Sequence, residues 1–149
     1  MLTVVQRVVQ SSVKVDDEII GEIKKGLNLL VGVCQGDQKV DAEALAEKIV
    51  HLRCFEDDQQ KMNLSILDKG GQILTIPQFT LCADCSRGRR PSFNKAAPPD
   101  RAQKLYQYFN ECLRNHELVV KSGSFGAYMQ VGIANNGPVT FVLDSKKIL

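Results

Sequence analysis

The feature that most restricts the fold is a series of short apolar runs, punctuated by turns, at the start of the chain. Residues 2–9 and 12–15 are rich in Val and separated by polar Gln10-Ser11, and Asp16-Asp17 supplies a hairpin turn into Glu18 to Ile23. Lys25-Gly26 then turns the chain into Leu27 to Val33. That run is so nearly all apolar that it predicts a central strand buried on both faces. Gly36-Asp37 breaks it.

Asp41 to Arg53 reads as a helix, with Leu45, Ile49 and Leu52 on one face and Asp41 and Glu43 at its N-terminal end. Met62, Leu64 and Ile66 alternate with polar residues as in a strand, Lys69-Gly70-Gly71 turns, and Gln72 to Ile76 forms a strand ending at Pro77. A second helix starts near Pro99 and carries Ala102, Leu105, Phe109 and Leu113 on one stripe. Ala127, Met129, Val131 and Ile133 alternate again, Asn135-Asn136-Gly137-Pro138 turns, and Val139 to Leu143 closes the sheet. Two helices against about eight strands predict an α/β chain: a single domain over residues 1–149, with two mixed, barrel-like β-sheet layers covered by the helices. Early hairpins and the lack of a GxGxxG opening a helix argue against a dinucleotide-binding fold.

With 149 residues, 44% hydrophobic and 24% charged, the chain is ordinary globular protein, so disorder is excluded. Leu27 to Cys34 is short, interrupted by Asn28 and Gly32, and far below the ~20 residues of a membrane span. The first residues lack a secretory pattern, so the expected location is the cytoplasm. The five cysteines are then expected as free thiols. Cys82-Ala83-Asp84-Cys85 has neither the second ligand pair a zinc site wants nor a helix beginning at its first Cys.

Charge is uneven. Between Ser86 and Lys104 six basic residues, Arg87, Arg89, Arg90, Lys95, Arg101 and Lys104, stand against Asp100, a local +5 in a chain of net charge +2. Such a segment is either a phosphate-binding surface or an exposed loop without a partner, and charge alone does not choose.

Side chains alone do not announce an enzyme. No GxSxG, HExxH or P-loop is present. His51, mid-helix, and His116, at a helix end, read as solvated or dipole partners, and Glu56-Asp57-Asp58 as a solvated loop. Two segments are stereochemically unusual. Ile76-Pro77-Gln78-Phe79-Thr80-Leu81 ends a strand at a proline, where successive backbone N–H groups can face an oxyanion. Gly137-Pro138 occupies a sharp turn, the usual setting of a cis bond.

Five runs, in order, resemble the D-aminoacyl-tRNA deacylase family: the opening Val4-Val5-Gln6-Arg7-Val8, Gln78 to Leu81, Gly88-Arg89-Arg90-Pro91-Ser92-Phe93, Phe125 to Met129, and Asn136 to Thr140. The resemblance covers Met1 to about Ser145. It implies a homodimer with active sites at the subunit interface and no metal or organic cofactor. Its substrate is aminoacyl-tRNA, bound by the acceptor stem and 3′-terminal adenosine. The family hydrolyses the ester to a D-amino acid or glycine and spares L-aminoacyl-tRNA. Carried onto this chain, Gly137 and Pro138 form a cis bond whose carbonyls face the substrate's amino group in the partner's pocket, and Arg7 holds that loop. The backbone around Gln78, Phe79 and Thr80 would stabilise the oxyanion, with Thr80 as a covalent nucleophile the rival mechanism. Phe125, Ala127 and Met129 would line the pocket, Phe79 would pack near the adenine, and Arg87, Arg89 and Arg90 would meet tRNA.

One position departs from the pattern: the family usually has Ser where this chain has Pro77, which removes an N–H and a hydroxyl. Proline there is similar to an animal relative with relaxed chirality that removes misplaced L-residues, although Phe79, Val139 and Thr140 keep the deacylase pattern. A non-catalytic RNA-binding module is the remaining alternative.

Overall fold

The computed structural model describes residues 1–149 and organises them around one long strand. β1 (Leu2–Val15) runs unbroken through Gln10-Ser11, where two strands were expected. One of its edges pairs with β8 (Gln130–Asp144) from Leu2 to Lys14. The other edge is shared end to end by β3 (Gly26–Gly32), against Leu2 to Val8, and β2 (Glu18–Ile23), against Ser11 to Val15. The ladder continues on the β8 side through Gln10 and Ser11, so their polarity does not interrupt the strand. Asp16 and Asp17 both take positive φ, 49° and 65°, the turn whose twist matches a hairpin.

β3 is the buried strand its composition predicts. It pairs in parallel with β6 (Gln72–Pro77), and β6 in parallel with β7 (Val119–Ser122). Parallel neighbours need crossovers. The first contains α1 (Lys39–Val50), the small hairpin β4 (Phe55–Glu56) and β5 (Met62–Leu64), and α2 (Ile66–Lys69); the second contains α3 (Pro99–Arg114). No helix is long and apolar enough to cross a membrane.

The sheet curls toward closure. A Cβ on Gly21 of β2 would stand 3.3 Å from Leu74 Cδ1 of β6 and 3.6 Å from Lys121 Cβ of β7. Val8, Val13, Ile23, Leu74 and Ile76 fill the inside of the curl, with Met129 packed against them. The larger core joins Val5, Leu29 and Ile73 of the sheet to Leu45 and Ile49 of α1 and Phe109 and Leu113 of α3. Each such side chain contributes about 1.5–3 kcal/mol by leaving water, so the helical layer is clamped to the outer face of the barrel. The expected class, mixed β layers under helices in one domain, is the observed one.

Three local expectations change. Ile66 begins α2 instead of ending a strand, because Ser65 Oγ accepts from Asp68 N at 3.2 Å while Asp68 Oδ2 accepts from Ser65 N at 2.7 Å, a reciprocal helix cap. α1 ends at Val50, so His51 caps its C-terminus and Leu52 lies beyond it. Finally, Asn135 to Val139 does not reverse the chain. Both halves of β8 run antiparallel along β1, with Gln6 opposite Thr140 and Val8 opposite Asn135. Arg7 alone therefore faces Asn136, Gly137, Pro138 and Val139, and the segment is a wide bulge that lifts out of the sheet.

Candidate active site

The bulge is built for glycine. Gly137 has φ of +140°, and a Cβ there would lie 2.6 Å from Val139 Cγ2 and 2.8 Å from Val139 N. The Gly137-Pro138 bond is cis, as the resemblance implies, and both residues are exposed. Asn135 brackets the bulge from within: its Oδ1 accepts from Val139 N and its Nδ2 donates to Thr140 Oγ1, each at 3.0 Å. Beneath it lies Arg7, only 5% exposed. Its Nε donates to Asn136 O at 3.0 Å, Nη1 to Cys54 O at 2.8 Å and Nη2 to Glu56 Oε1 at 3.3 Å. A guanidinium has the rigid fork that three such acceptors need. Glu56, expected in a solvated loop, is thus the carboxylate partner of Arg7. A cleft of about 430 Å³ runs beside this cluster, lined in part by Arg7, Glu56, Lys25, Lys69 and Asn136.

The second cluster forms where β6 ends. After Pro77 the chain enters a tight turn of 3₁₀-helix, Phe79–Cys82. Gln78 N–H donates to Val31 O at 2.7 Å, which ties the strand end to β3 and removes that amide from the available donors. The N–H groups of Phe79 and Thr80 open the turn and find no acceptor within the chain. Gln78 Nε2 donates to Thr80 Oγ1, the one side-chain partner Thr80 has, and an amide is no base. Met129 closes the wall behind Pro77: a Cβ on Gly123 would lie 2.8 Å from Met129 Sδ, 3.3 Å from Ile76 Cδ1 and 3.4 Å from Pro77 Cδ. Ala127 is half-buried nearby in sequence, whereas Phe125 turns toward Tyr106 of α3, ring centroids 6.3 Å apart. Phe125 therefore shares a groove with α3, not with Met129. The bulge cluster and the Gln78–Thr80 cluster share no hydrogen bond.

The family model described as D-Tyr-tRNA(Tyr) deacylase matches residues 4–144. The chain belongs to this family. A relative named D-aminoacyl-tRNA deacylase from Thermosipho africanus is 51% identical, covering 99% of each chain. One of the same name from Thermosipho melanesiensis is 54% identical over 99% of each, and one from Bacillus cytotoxicus is 53% identical over 98% of this chain and 100% of its own. Among solved structures, one described as c-Myc DNA Unwinding Element Binding Protein superposes with a TM-score of 0.91 at 42% identity, over 97% of this chain and 98% of its own. A probable eukaryotic D-amino acid tRNA deacylase shares the fold, TM-score 0.79 at 16% identity, over 95% and 97%.

On this deacylase-family fold the basic segment divides by position. Backbone bonds between Asp84 and Ser92, 2.8 and 2.9 Å, close a loop that carries Arg87, Arg89 and Arg90 at its tip, all exposed and none in an ion pair. Lys95 is held by Asp84 at 3.0 Å, and Arg101 Nη2 donates to Asp37 O at 2.7 Å, so these two cations are occupied structurally. Phe93, just past the bridge, packs against Phe79 in a tilted pair, with centroids 5.0 Å apart and an interplanar angle of 58°. The base of the basic loop is thereby tied to Phe79, the first residue of the 3₁₀ turn. Phe93, Asn135 and Glu56 are the partners that the fold brings to these clusters; Phe93 lies in one of the runs that carry the resemblance, but nothing in the sequence paired it with Phe79, or Glu56 with Arg7. Cys82, at the end of the turn, shares a thiol hydrogen bond with Cys34 that holds Cys34 below the ordinary thiol range and pushes Cys82 far above it. Cys85 is exposed, and all five cysteines are free.

Proposed function

We propose that this chain, one deacylase domain over residues 1–149, hydrolyses the ester between a D-amino acid or glycine and the 3′-terminal adenosine of tRNA. It releases free tRNA and the amino acid, as chiral proofreading in translation in the cytoplasm. The observation that carries the reading is 51–54% identity, over 98–99% of the chain, to relatives named D-aminoacyl-tRNA deacylase.

Water attacks the ester carbonyl, the bond to the ribose oxygen breaks, and that oxygen leaves with a proton. The neighbouring ribose hydroxyl assists the water. An aminoacyl ester of this kind is already activated, so orientation and oxyanion stabilisation supply much of the acceleration. The N–H groups of Phe79 and Thr80 are the donors, and one such donor is commonly worth about 2.7–4 kcal/mol. Gln78 positions Thr80 through its side chain. Without a base, Thr80 is not the nucleophile.

Selectivity comes from Gly137 and Pro138, whose carbonyls meet the substrate's amino group. The bulge of one subunit completes the pocket walled by Met129 and Ala127 in the other. Three features support this homodimer. The bulge is exposed, β8 pairs only with β1 within the chain, and Phe79, Tyr128 and Val142 leave 55%, 91% and 74% of their area open. Arg87, Arg89 and Arg90 take the acceptor stem, and Phe79 packs near the terminal adenine.

The test is deacylation of D-Tyr-, Gly- and L-Ala-tRNA side by side. The expected result is rapid loss of the first two ester bonds with L-Ala-tRNA spared. Preference for L-Ala-tRNA would instead match the relaxed relative that Pro77 resembles, and tRNA binding without hydrolysis would leave a non-catalytic RNA-binding module.

A further inference from the structure

Three side chains that the deacylase reading does not use converge on the helical layer. Glu47 lies on α1 and His51 caps that helix four residues later, so the two share one face. His116 arrives from the far end of α3, where backbone bonds from His116 N to Leu113 O at 3.2 Å and from Glu117 N to Arg114 O at 2.9 Å fix the exit turn. His51 Nε2 stands 3.0 Å from Glu47 Oε1, and His116 Nε2 stands 3.5 Å from Glu47 Oε2. The three donor atoms all lie within 4.8 Å of one another, and the imidazole rings meet edge to face, 89° apart.

We propose that Glu47, His51 and His116 form a binding site for one divalent transition-metal ion of the zinc class. Zinc bonds imidazole nitrogen and carboxylate oxygen at about 2.0–2.1 Å, which places neighbouring ligands of a tetrahedron about 3.4 Å apart. The two imidazole nitrogens stand 3.0 and 3.5 Å from the two different oxygens of the Glu47 carboxylate, and one donor atom from each of the three residues lies within 4.8 Å of the other two, so rotation of exposed side chains is enough to close the three donors on an ion. Two imidazoles and one carboxylate suit zinc, nickel or copper, and not magnesium or calcium, which want an all-oxygen shell. The side chains of His51 and Glu47 are 57% and 63% exposed and that of His116 28%, so an ion has an open approach and water completes its coordination. A plain ion pair at this exposure contributes little. A bound ion would instead tie the end of α1 to the exit of α3, two points far apart in sequence.

The test uses the full chain, stripped with chelator and titrated with Zn²⁺ by calorimetry and with Co²⁺ by visible absorption. The expected result is one Zn²⁺ per chain, a rise in melting temperature on loading, and a Co²⁺ ligand-field spectrum without a thiolate charge-transfer band. His51→Ala, His116→Ala and Glu47→Gln should each weaken binding by at least about tenfold, since even outer-shell changes cost about 10–100-fold. Glu47 and His51 are exposed and His116 is half-buried, so thermal melts of the metal-free variants accompany each titration to confirm folding. Cys34→Ser/Cys85→Ser should leave the affinity unchanged. Absence of saturable binding, an affinity that any one of the three substitutions fails to move, or loss of binding in the cysteine variant would each overturn the site.

Discussion

Arg7 holds the peptide carbonyl of Asn136 on its Nε at 3.0 Å from a position only 5% exposed. The same guanidinium reaches Cys54 O and Glu56, so the base of the bulge and the β4 segment are fixed by one buried cation. Arg7→Ala strands these acceptors, and loss of a buried charged hydrogen-bonding partner should lower unfolding free energy by about 2–4 kcal/mol in urea titration. Arg7→Lys keeps the charge without the fork. It should fold, lose less stability than the Ala variant, and lose discrimination between D-Tyr- and L-Tyr-tRNA; unchanged discrimination would detach Arg7 from the bulge's role.

Phe93 packs on Phe79 at the base of the Asp84–Ser92 loop that carries the exposed Arg87, Arg89 and Arg90. Neutralising Arg89 and Arg90 together should weaken tRNA binding and reduce the slope of log affinity against log salt by about 1 for each phosphate that is no longer neutralised. The measurement is filter binding across a salt series. Affinity and slope that both stay at the starting values would make the tip an ordinary solvated loop.

What the sequence made legible follows from how local each signal is. The Pro99 helix start, the apolar Leu27–Val33 strand and the Asp16-Asp17 turn are encoded within a few residues and appear where they were expected, the strand to within one residue, whereas α1 begins at Lys39, two residues before the expected Asp41. The Ser65–Asp68 cap was equally local but was outweighed by the alternation of Met62, Leu64 and Ile66. The bulge could not be distinguished from a hairpin turn, because Asn, Gly and Pro serve both and only pairing with distant β1 decides the chain direction. Glu56 beneath Arg7 and Phe93 against Phe79 are long-range pairs that leave no periodic trace. The family motifs named Arg7, Gln78 to Thr80 and Gly137-Pro138, and the fold shows which side chains pack against them.

Asp41 gives the fold an acid limit. Burial would raise its pKa, but the Lys146 ammonium, Ser145 Oγ and the Gln38 N–H outweigh it and hold the carboxyl at about 2. A folded-state pKa below the unfolded value of about 3.9 contributes stability that is fully present above pH 4 or so and fades as the pH falls toward 2. Asp41→Asn should therefore be destabilised most at neutral pH, with the gap from the parent chain narrowing in thermal melts as the buffer is taken from pH 6 to pH 2. A gap independent of pH would show that the side chain's shape, not its charge, is what matters there.

Thr80 separates the two mechanisms. Its hydroxyl has Gln78 as its side-chain partner, while its main-chain N–H stays free whatever side chain it carries. Thr80→Ala should keep kcat for D-Tyr-tRNA within about tenfold, whereas removal of a true nucleophile typically costs several orders of magnitude. A collapse of that size, or an acyl-enzyme trapped on Thr80, would move the chemistry from backbone to side chain.

Gly137 tests the bulge without touching the oxyanion donors. At φ of +140° any L side chain is strained, and its Cβ would collide with Val139 N at 2.8 Å, a backbone atom that cannot rotate away. Because the position is exposed, the bulge can shift as a unit while β1 and β8 stay paired on either side, at Gln6 with Thr140 and at Val8 with Asn135. Gly137→Ala should therefore cost about 1–3 kcal/mol or less in stability. The larger effect should fall on selectivity: on the proposed reading the Gly137 and Pro138 carbonyls meet the amino group, so moving them should lower the ratio of D-Tyr- to L-Tyr-tRNA deacylation. An unaltered ratio at full activity would mean that chirality is read elsewhere in the pocket.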